Sequence, residues 1–490
     1  MTDVRSILAD VAGRRGLGGV GVAVVRAGEP TEFTCDGLAD SSGTPIGPST
    51  VFRIASITKT MTAIGLMQLR DRGLLDLDDP VNDYLKGLEV VTPAGAPPVT
   101  FRHLLTHTAG IGEMPRVSNF LRAATWGVSR PGAVPADEAK LYGGTLKTEV
   151  PAGSKWAYAN HGFVLLGKLV ADISGEPLAP HMHEHLFAPL GMESTGYLRS
   201  PEIGAHLATG YQWLFGRFRP MRDYDMTLLG AGAVLSSLGD MARYAQWLMG
   251  GCSDAVLSRA TLEEMITPNH SIGPGLPGNG LAFSLVNYGS NRLFGHDGNM
   301  PDFASVLFIA PDAGVAVVVL TNTGTVLGAN QLAARVMREH LGVPDPATLL
   351  PLSGVVDAPG PWGSLTGSYA PARGLLTNTR PWQMLGGEAQ VLVKGRHLTV
   401  RALSPVRPLR RGLTLHRTDP DDPLRYAFIH DGQVVPVIFD RSGDAAAARM
   451  IIGRPVNAVL YRRPATRSIR LLSKVAGVAA MVAFYRRRTR

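Results

Sequence analysis

Only two cysteines, Cys35 and Cys252, occur in a chain of 490 residues. They stand far apart with no C-x-x-C spacing, which excludes a disulfide-stapled scaffold and a thiol-ligated zinc site. No internal repeat and no low-complexity tract is present, so a solenoid is excluded. Also missing are a G-x-S-x-G nucleophile elbow, a P-loop and a Rossmann fingerprint in strand-to-helix context, which removes the α/β-hydrolase reading and leaves nucleotide chemistry unsupported. The opening "MTDVRSILADVAGRRG" carries Asp3 and Asp10 and has no long apolar run. It reads as an amphipathic helix rather than a signal peptide, and a cytoplasmic protein is expected.

The chain does contain enough apolar residues for a core. With 45% hydrophobic and 18% charged residues it has an ordinary globular composition, and its length favours two domains. The net charge is +8, but nine cations from Arg462 onward stand there without an acid, leaving the body near −1. A basic tail, not a basic body, argues against nucleic acid as a partner, and the tail has little aromatic interleaving to read bases. Within it the uncharged stretch Val475 to Tyr485 would span roughly 17 Å as a helix, short of the ~30 Å hydrocarbon core. A helix lying on an anionic inner leaflet fits better; docking on protein, and a marginal span, are the alternatives.

"GVGVAVVRAGEPTEFTCDGLAD" holds two extended runs around Ala27-Gly-Glu-Pro30, a hairpin pattern. Between Ser56 and about Gly250 the apolar residues recur at three and four, as in "TAIGLMQLRDRGLL", "GFVLLGKLVADISG" and "LGDMARYAQWLMGG", with stops at Gly73 and Gly175. Strand patterns return in "LAFSLVNYG", "FASVLFIAP" and "GVAVVVLTN", and "GANQLAARVMREHLG" closes as a helix. Strands at both ends with helices between predict one α+β domain whose two ends share a sheet, over 1–345. A proline-rich linker at 346–360, a β-rich accessory domain at 361–465 and the tail 466–490 complete the expected organisation.

Three short motifs could carry chemistry. In "RIASITKT" Ser56 and Lys59 are three apart, on one face if helical, and a neutral lysine could take the serine proton. The first turn of a helix would also place the Ser56 N–H where an oxyanion could be held. Taken alone, a capping serine and a snorkelling lysine explain the same residues. In "WAYANHGF" Tyr158 could relay a proton and Asn160 bind a carbonyl, or the pair is a buried tyrosine beside a turn asparagine. In "LFGHDGNMPDFASVLF" an extended strand would put His296 and Gly298 on one face, with the Asn299 N–H as a second oxyanion donor. Asp297-Gly298 is equally a hairpin-turn signal.

In their order these motifs resemble the serine β-lactamases and penicillin-binding proteins, and the Tyr158-Ala159-Asn160 triplet resembles the class C, esterase and D-aminopeptidase branch. The resemblance extends through "FRIASITKTMTAIGLMQLRDRGLLDLDDPV", "VTFRHLLTHTAGI", "PLGMESTGY", "GAGAVLSSLGDMARYAQWL" and "PDAGVAVVVLTN", across about residues 5 to 342. It implies an antiparallel sheet with helices on both sides and a helical subdomain; the C-terminal segment resembles the small β-barrels appended to some relatives. It implies that Ser56 is acylated, that Lys59 accepts its proton and that Tyr158 protonates the leaving group and activates the deacylating water. Asn160 would touch the acyl portion, and the N–H groups of Ser56 and Asn299 would hold the oxyanion. No cofactor is implied, and the expected partner is a small ester or amide. His296-Asp297-Gly298 departs from the Lys-Thr-Gly of typical β-lactamases, which lowers the expected preference for anionic substrates; the His-x-Gly form resembles the esterase and aminopeptidase-like members more closely, and an ester is the expected preferred substrate. The alternatives are a D-amino-acid peptidase or β-lactamase, and a non-catalytic binding or scaffold protein. Oligomeric state is left open, and specificity is expected from the loops around "MPRVSNFLRAATWGV".

Other histidines are read as structural. His181 and His185 in "PHMHEHLF" are spaced to share a metal from one helical face, but no third ligand with matching spacing is evident and no metal is expected. His103 and His107 in "RHLLTHTAG" are likewise assigned to packing.

Overall fold

The computed structural model describes residues 3–464 apart from 16, 113–126, 136, 215–216, 252–254, 346–347, 349, 351–361, 372–387, 403–406, 420, 431–432, 442–448 and 454–457. Most of the expected linker, the segment 114–126, Cys252 and the tail 466–490 therefore lie outside the described residues. Two compact units result, one of Met1–Ser271 with Pro277–Pro344, the other of Ile272–Leu276 with the residues from Asp345.

In the first unit six strands form an antiparallel sheet: β1 (Val20–Arg26), β2 (Glu32–Asp36), β3 (Ser284–Tyr288), β4 (Asn291–Asn299), β5 (Ala304–Ala310) and β6 (Val315–Thr321). Their order is β3-β4-β5-β6-β1-β2, so the two ends of the unit meet where β1 pairs with β6, Val20 opposite Thr321. Side-chain alternation divides the strands between two apolar layers. Val20, Val22, Val24, Val315, Val317 and Val319 pack with helices α1 (Val4–Arg15) and α5 (Val326–Leu341). On the opposite face Ala23, Val25, Leu307, Ile309, Val318 and Leu320 join the larger core with α2 (Thr58–Asp71), α3 (Asn160–Ser174) and α4 (Leu238–Gln246). Burial on both faces explains why "VAVVVL" and "SVLFIA" read as continuous rather than alternating apolar runs. Val4, Ile7, Leu8 and Val11 bury the apolar side of the N-terminal helix.

The second unit is a closed antiparallel barrel of eight strands running from Gly367–Ala370 to Ala458–Arg463, each paired with the next. Closure comes from the last strand pairing with the first, Ser368 opposite Arg463. One inward-facing set, including Tyr369, Val391, Val400, Phe428, Val437 and Leu460, fills it. Closure removes the sheet edges that short strands would otherwise expose. Among the described residues no helix is long and apolar enough to cross a membrane.

His161, near the start of α3, is buried and shares a 2.6 Å hydrogen bond with the Tyr142 hydroxyl. Burial, with a smaller contribution from the charge of Lys59, pushes its pKa down from 6.5 to about 4. The unfolded chain therefore binds more protons than the folded one between those values, so stability rises with pH there. The contribution is complete above pH 6.5 and is lost as pH falls to about 4. Its size is roughly 3 kcal/mol. Urea unfolding at pH 7 and 4.5 should show a loss, to which the burial-lowered His103, His181, His270, His340 and His416 also contribute, and His161→Gln should shrink the difference by roughly 2–3 kcal/mol.

Candidate active site

Beyond the short strand Val51–Arg53 the chain turns through a single 3₁₀ turn, Ala55–Ile57, directly into α2. Ala55 holds φ at +48°, a left-handed conformation that costs a residue with a Cβ about 1–3 kcal/mol. Several contacts hold the turn. The Ile54 N–H donates to the Val234 carbonyl at 3.1 Å, and Ser305 Oγ donates to the Ile54 carbonyl at 2.7 Å. Ser56 follows, with its N–H among the first donors of the turn and helix, and with 9% of its surface exposed.

Lys59, one turn further, is fully buried. Its Nζ lies 3.1 Å from Ser56 Oγ, 2.8 Å from Asn160 Oδ1 and 2.6 Å from the Ala231 carbonyl oxygen. An amide oxygen and a carbonyl oxygen can only accept, so these two take two N–H bonds of Lys59. The third position faces the serine. An uncharged amine there can present its lone pair to the Ser56 O–H, while an ammonium can donate to Ser56 Oγ. Apolar rings border the amine, with Nζ 5.0 Å from the Tyr158 ring centre and 5.7 Å from that of Phe163.

The two oxygens come from elements that must approach closely. Asn160 opens α3, immediately after Ala159 in extended conformation. Ala231 lies in the short helix Leu229–Gly232, which is pressed against α3 at Gly167 and Gly230. A Cβ on Gly167 would come 3.0 Å from the Gly230 Cα, and one on Gly230 would overlap the Phe163 carbonyl oxygen. Small residues at both positions thus let the Ala231 carbonyl reach Lys59.

Tyr158 is seated by His107. The two rings lie 4.4 Å apart, the Ala159 N–H donates to His107 Nδ1 at 3.2 Å, and the Ala157 N–H donates to the His107 carbonyl at 2.9 Å. His107 itself holds φ at +59°. Its role is support for the triplet. His103, by contrast, closes a capping box with Thr100 at the start of the helix Phe101–Leu105.

Asp297-Gly298 lies inside β4 and is not a turn; the chain reverses later, where the Met300 N–H donates to the Phe303 carbonyl at 2.8 Å. That bond sets the parity of the ladder, in which alternate residues turn their N–H and C=O groups toward opposite neighbours. Even-numbered residues of β4 face β5, so the Asn299 N–H is directed to the other edge. There β3 pairs with β4 only as far as Ser284 opposite Gly295. Beyond that point the edge past His296 has no β3 partner. His296 and Gly298 share the face toward the Ser56 turn. A Cβ on Gly298 would overlap Ser305 Oγ and the Ile54 carbonyl oxygen. His296 Nδ1 sits 2.6 Å from the Asp297 carbonyl oxygen, which fixes the proton on Nδ1, and its ring centre lies 6.2 Å from that of Tyr158.

All seven predicted site residues thus belong to segments that meet around the Ser56 turn. Sequence reasoning assigned His107 to packing, which is the role it has beneath Tyr158, but missed Ala231 and Ser305. It also missed a brace beneath them. Arg53 is buried over the Tyr224 ring at 4.1 Å and pairs with Asp223 at 3.3 Å, while the Tyr224 hydroxyl donates to Asp302 at 2.7 Å. These contacts tie the strand before Ser56 to the turn after Asn299. The close-packed "GAG" run was the one available signal for Ala231; backbone carbonyls and strand-register partners leave none.

Because the Gly298 contact sets the height of the Ser56 turn, Gly298→Ala should displace the serine by a substantial fraction of an ångström. Acylation of Ser56 by an active-ester probe should then slow about 100-fold with the circular dichroism spectrum unchanged. A rate within about threefold of the parent would show that the contact does not position the serine.

A family model described as Beta-lactamase matches residues 4–342. The D-alanyl-D-alanine-carboxypeptidase/endopeptidase AmpH of Escherichia coli (strain K12) is 34% identical over 199 residues, 40% of this chain and 48% of AmpH. Esterase EstB of Burkholderia gladioli is 33% identical over 195 residues, 38% of this chain and 48% of EstB. The match therefore spans about half the length of these curated relatives. Among solved structures, the octameric penicillin-binding protein homologue from Pyrococcus abyssi aligns with a TM-score of 0.63 at 23% identity, over 94% of this chain and 99% of that one. That likeness is one of fold. Since the family model accounts for well over half of the chain, this protein belongs to the beta-lactamase family of serine hydrolases.

Proposed function

We propose that the protein hydrolyses carboxylic esters and small amides through a Ser56 acyl-enzyme. The carrying observation is the Lys59 amine, fully buried and 3.1 Å from Ser56 Oγ with acceptors on its other two bonds. Lys59 takes the Ser56 proton as Oγ attacks the carbonyl carbon. The N–H groups of Ser56 and Asn299 stabilise the oxyanion. Tyr158 passes a proton to the departing alcohol or amine, and later draws one from the water that attacks the acyl carbon. With its oxygen turned to Lys59, Asn160 offers its NH₂ to the acyl portion.

His296 supports esters as the preferred class. Where typical β-lactamases place a lysine that binds the substrate carboxylate, this chain has an imidazole followed by Asp297, so a fixed positive charge is missing from that position. The likeness to AmpH supports a second reading, hydrolysis at D-amino acids. Retention of Ser56, Lys59, Tyr158 and Asn160 argues against a binding protein without turnover. For placement in the cell, the basic tail 466–490 supports peripheral attachment to an anionic inner leaflet.

Side-by-side assays with p-nitrophenyl butyrate, nitrocefin and a D-alanyl p-nitroanilide test the reading. The ester should be turned over fastest. Ser56→Ala should lower kcat by about 10⁴-fold or more and Tyr158→Phe by about 10²–10³-fold. Unchanged turnover by Ser56→Ala rejects the mechanism, and a clear preference for nitrocefin or the D-alanyl amide reverses the substrate assignment.

A further inference from the structure

A cluster of metal-ligating side chains lies on the segment after α3, outside the Ser56 site. Helix α3 ends at Gly175, whose φ of +80° reverses the chain. Glu176 and Pro177 follow, then the short helix Leu178–Met182 and a wide turn, His183–Phe187, closed by a bond from the Ala188 N–H to the His183 carbonyl at 2.9 Å. This path brings His181 and His185 together with Glu176. The two imidazole centres are 4.5 Å apart, and His181 Nδ1 is 3.2 Å from Glu176 Oε2. One ligand atom from each of the three residues lies within 4.8 Å of the others.

A simple histidine–glutamate hydrogen bond accounts for only part of this arrangement, because it gives no role to the second imidazole packed edge-on against the first. His181 is 1% exposed and turns its Nδ1 edge to Glu176, the edge from which the three side chains could share one ion. Two imidazoles beside one carboxylate suit a shared cation.

We propose that Glu176, His181 and His185 form a site for a first-row divalent metal ion, zinc being the best match. Two imidazoles and one carboxylate are borderline donors that suit zinc, whereas calcium and magnesium favour oxygen donors. Tetrahedral donors around zinc stand about 3.4 Å apart, so the cluster closes by rotations of roughly 1 Å. Glu176, with 49% of its side chain exposed, is able to make that adjustment and gives the ion its path of entry. Arg72 is close enough to act on His181 and opposes any cation, which makes the carboxylate necessary as a counter-charge. Water completes the fourth position.

The ion would act as a clip. Its ligands bracket a segment that supports the helix carrying Lys59: the His185 carbonyl accepts from Gln68 Nε2 at 2.8 Å, and Met182 Sδ occupies the space left by Gly65. Gln68 is nine residues from Lys59, roughly 14 Å along α2, so the ion would not touch the reacting atoms.

Titration of untagged full-length protein with Zn²⁺, followed by calorimetry and by competition with a chromogenic chelator, tests the site. One equivalent should bind with micromolar or tighter affinity and raise the thermal midpoint. Glu176→Gln and His185→Ala, both on side chains that are not fully buried, should each weaken binding at least tenfold and abolish the thermal shift. Ester turnover in these variants should stay within about twofold, and because binding is measured directly, the outcome is independent of the proposed esterase chemistry. Binding weaker than about 100 μM, or an affinity unchanged in both variants, would overturn the proposal.

Discussion

Burying a lysine amine costs several kcal/mol unless its N–H bonds are met and its charge is offset or given up. Lys59 is buried between one hydroxyl, one side-chain amide and one backbone carbonyl. Much of the surrounding architecture serves to bring those oxygens to it. The strained Ala55 turn delivers the hydroxyl, the first residue of α3 delivers the amide, and the Gly167–Gly230 contact delivers the carbonyl. Each of these elements is separated from the others by tens of residues, so the three oxygens meet the amine only when the unit is folded.

The electrostatic character of the site follows from what surrounds this amine. On one side Tyr158 and Phe163 present ring faces, which limit the water available to solvate a charge. Toward the substrate side stands β4, where His296 carries its proton on Nδ1 through the Asp297 carbonyl. The described groups around the serine thus include one buried amine and one imidazole, and β4 carries no lysine at the His296 position.

Much of this was readable from residue types. Apolar runs marked the strands, three- and four-residue periodicity marked the helices, and the spacing of Ser56 and Lys59 placed them on one face before any coordinates. One feature was legible only as one of two readings, and two were hidden for distinct physical reasons. Asp297-Gly298 carries a hairpin-turn signal that the β4–β5 ladder overrides, because the glycine is needed for the close approach of Ile54 and not for a turn. The Ala231 carbonyl is backbone, and backbone acceptors have no signature in a side-chain alphabet. Glu176 escaped because helical spacing was the wrong rule for it: Gly175 reverses the chain, and a ligand five residues before His181 becomes its neighbour. The barrel was legible as alternating strands, but closure depends on pairing between residues nearly one hundred positions apart, such as Ser368 and Arg463.

If the Lys59 amine makes the Ser56 hydroxyl nucleophilic, its removal must slow covalent capture of that serine. The decisive measurement is reaction with a fluorophosphonate and mapping of the adduct by peptide mass spectrometry, in parallel with Lys59→Met, which keeps the length of the side chain and removes the amine. A single adduct on the peptide containing Ser56 is expected, with a labelling rate at least 100-fold lower in the variant. An adduct on a different residue, or equal rates in the two proteins, would show that the amine does not activate the serine.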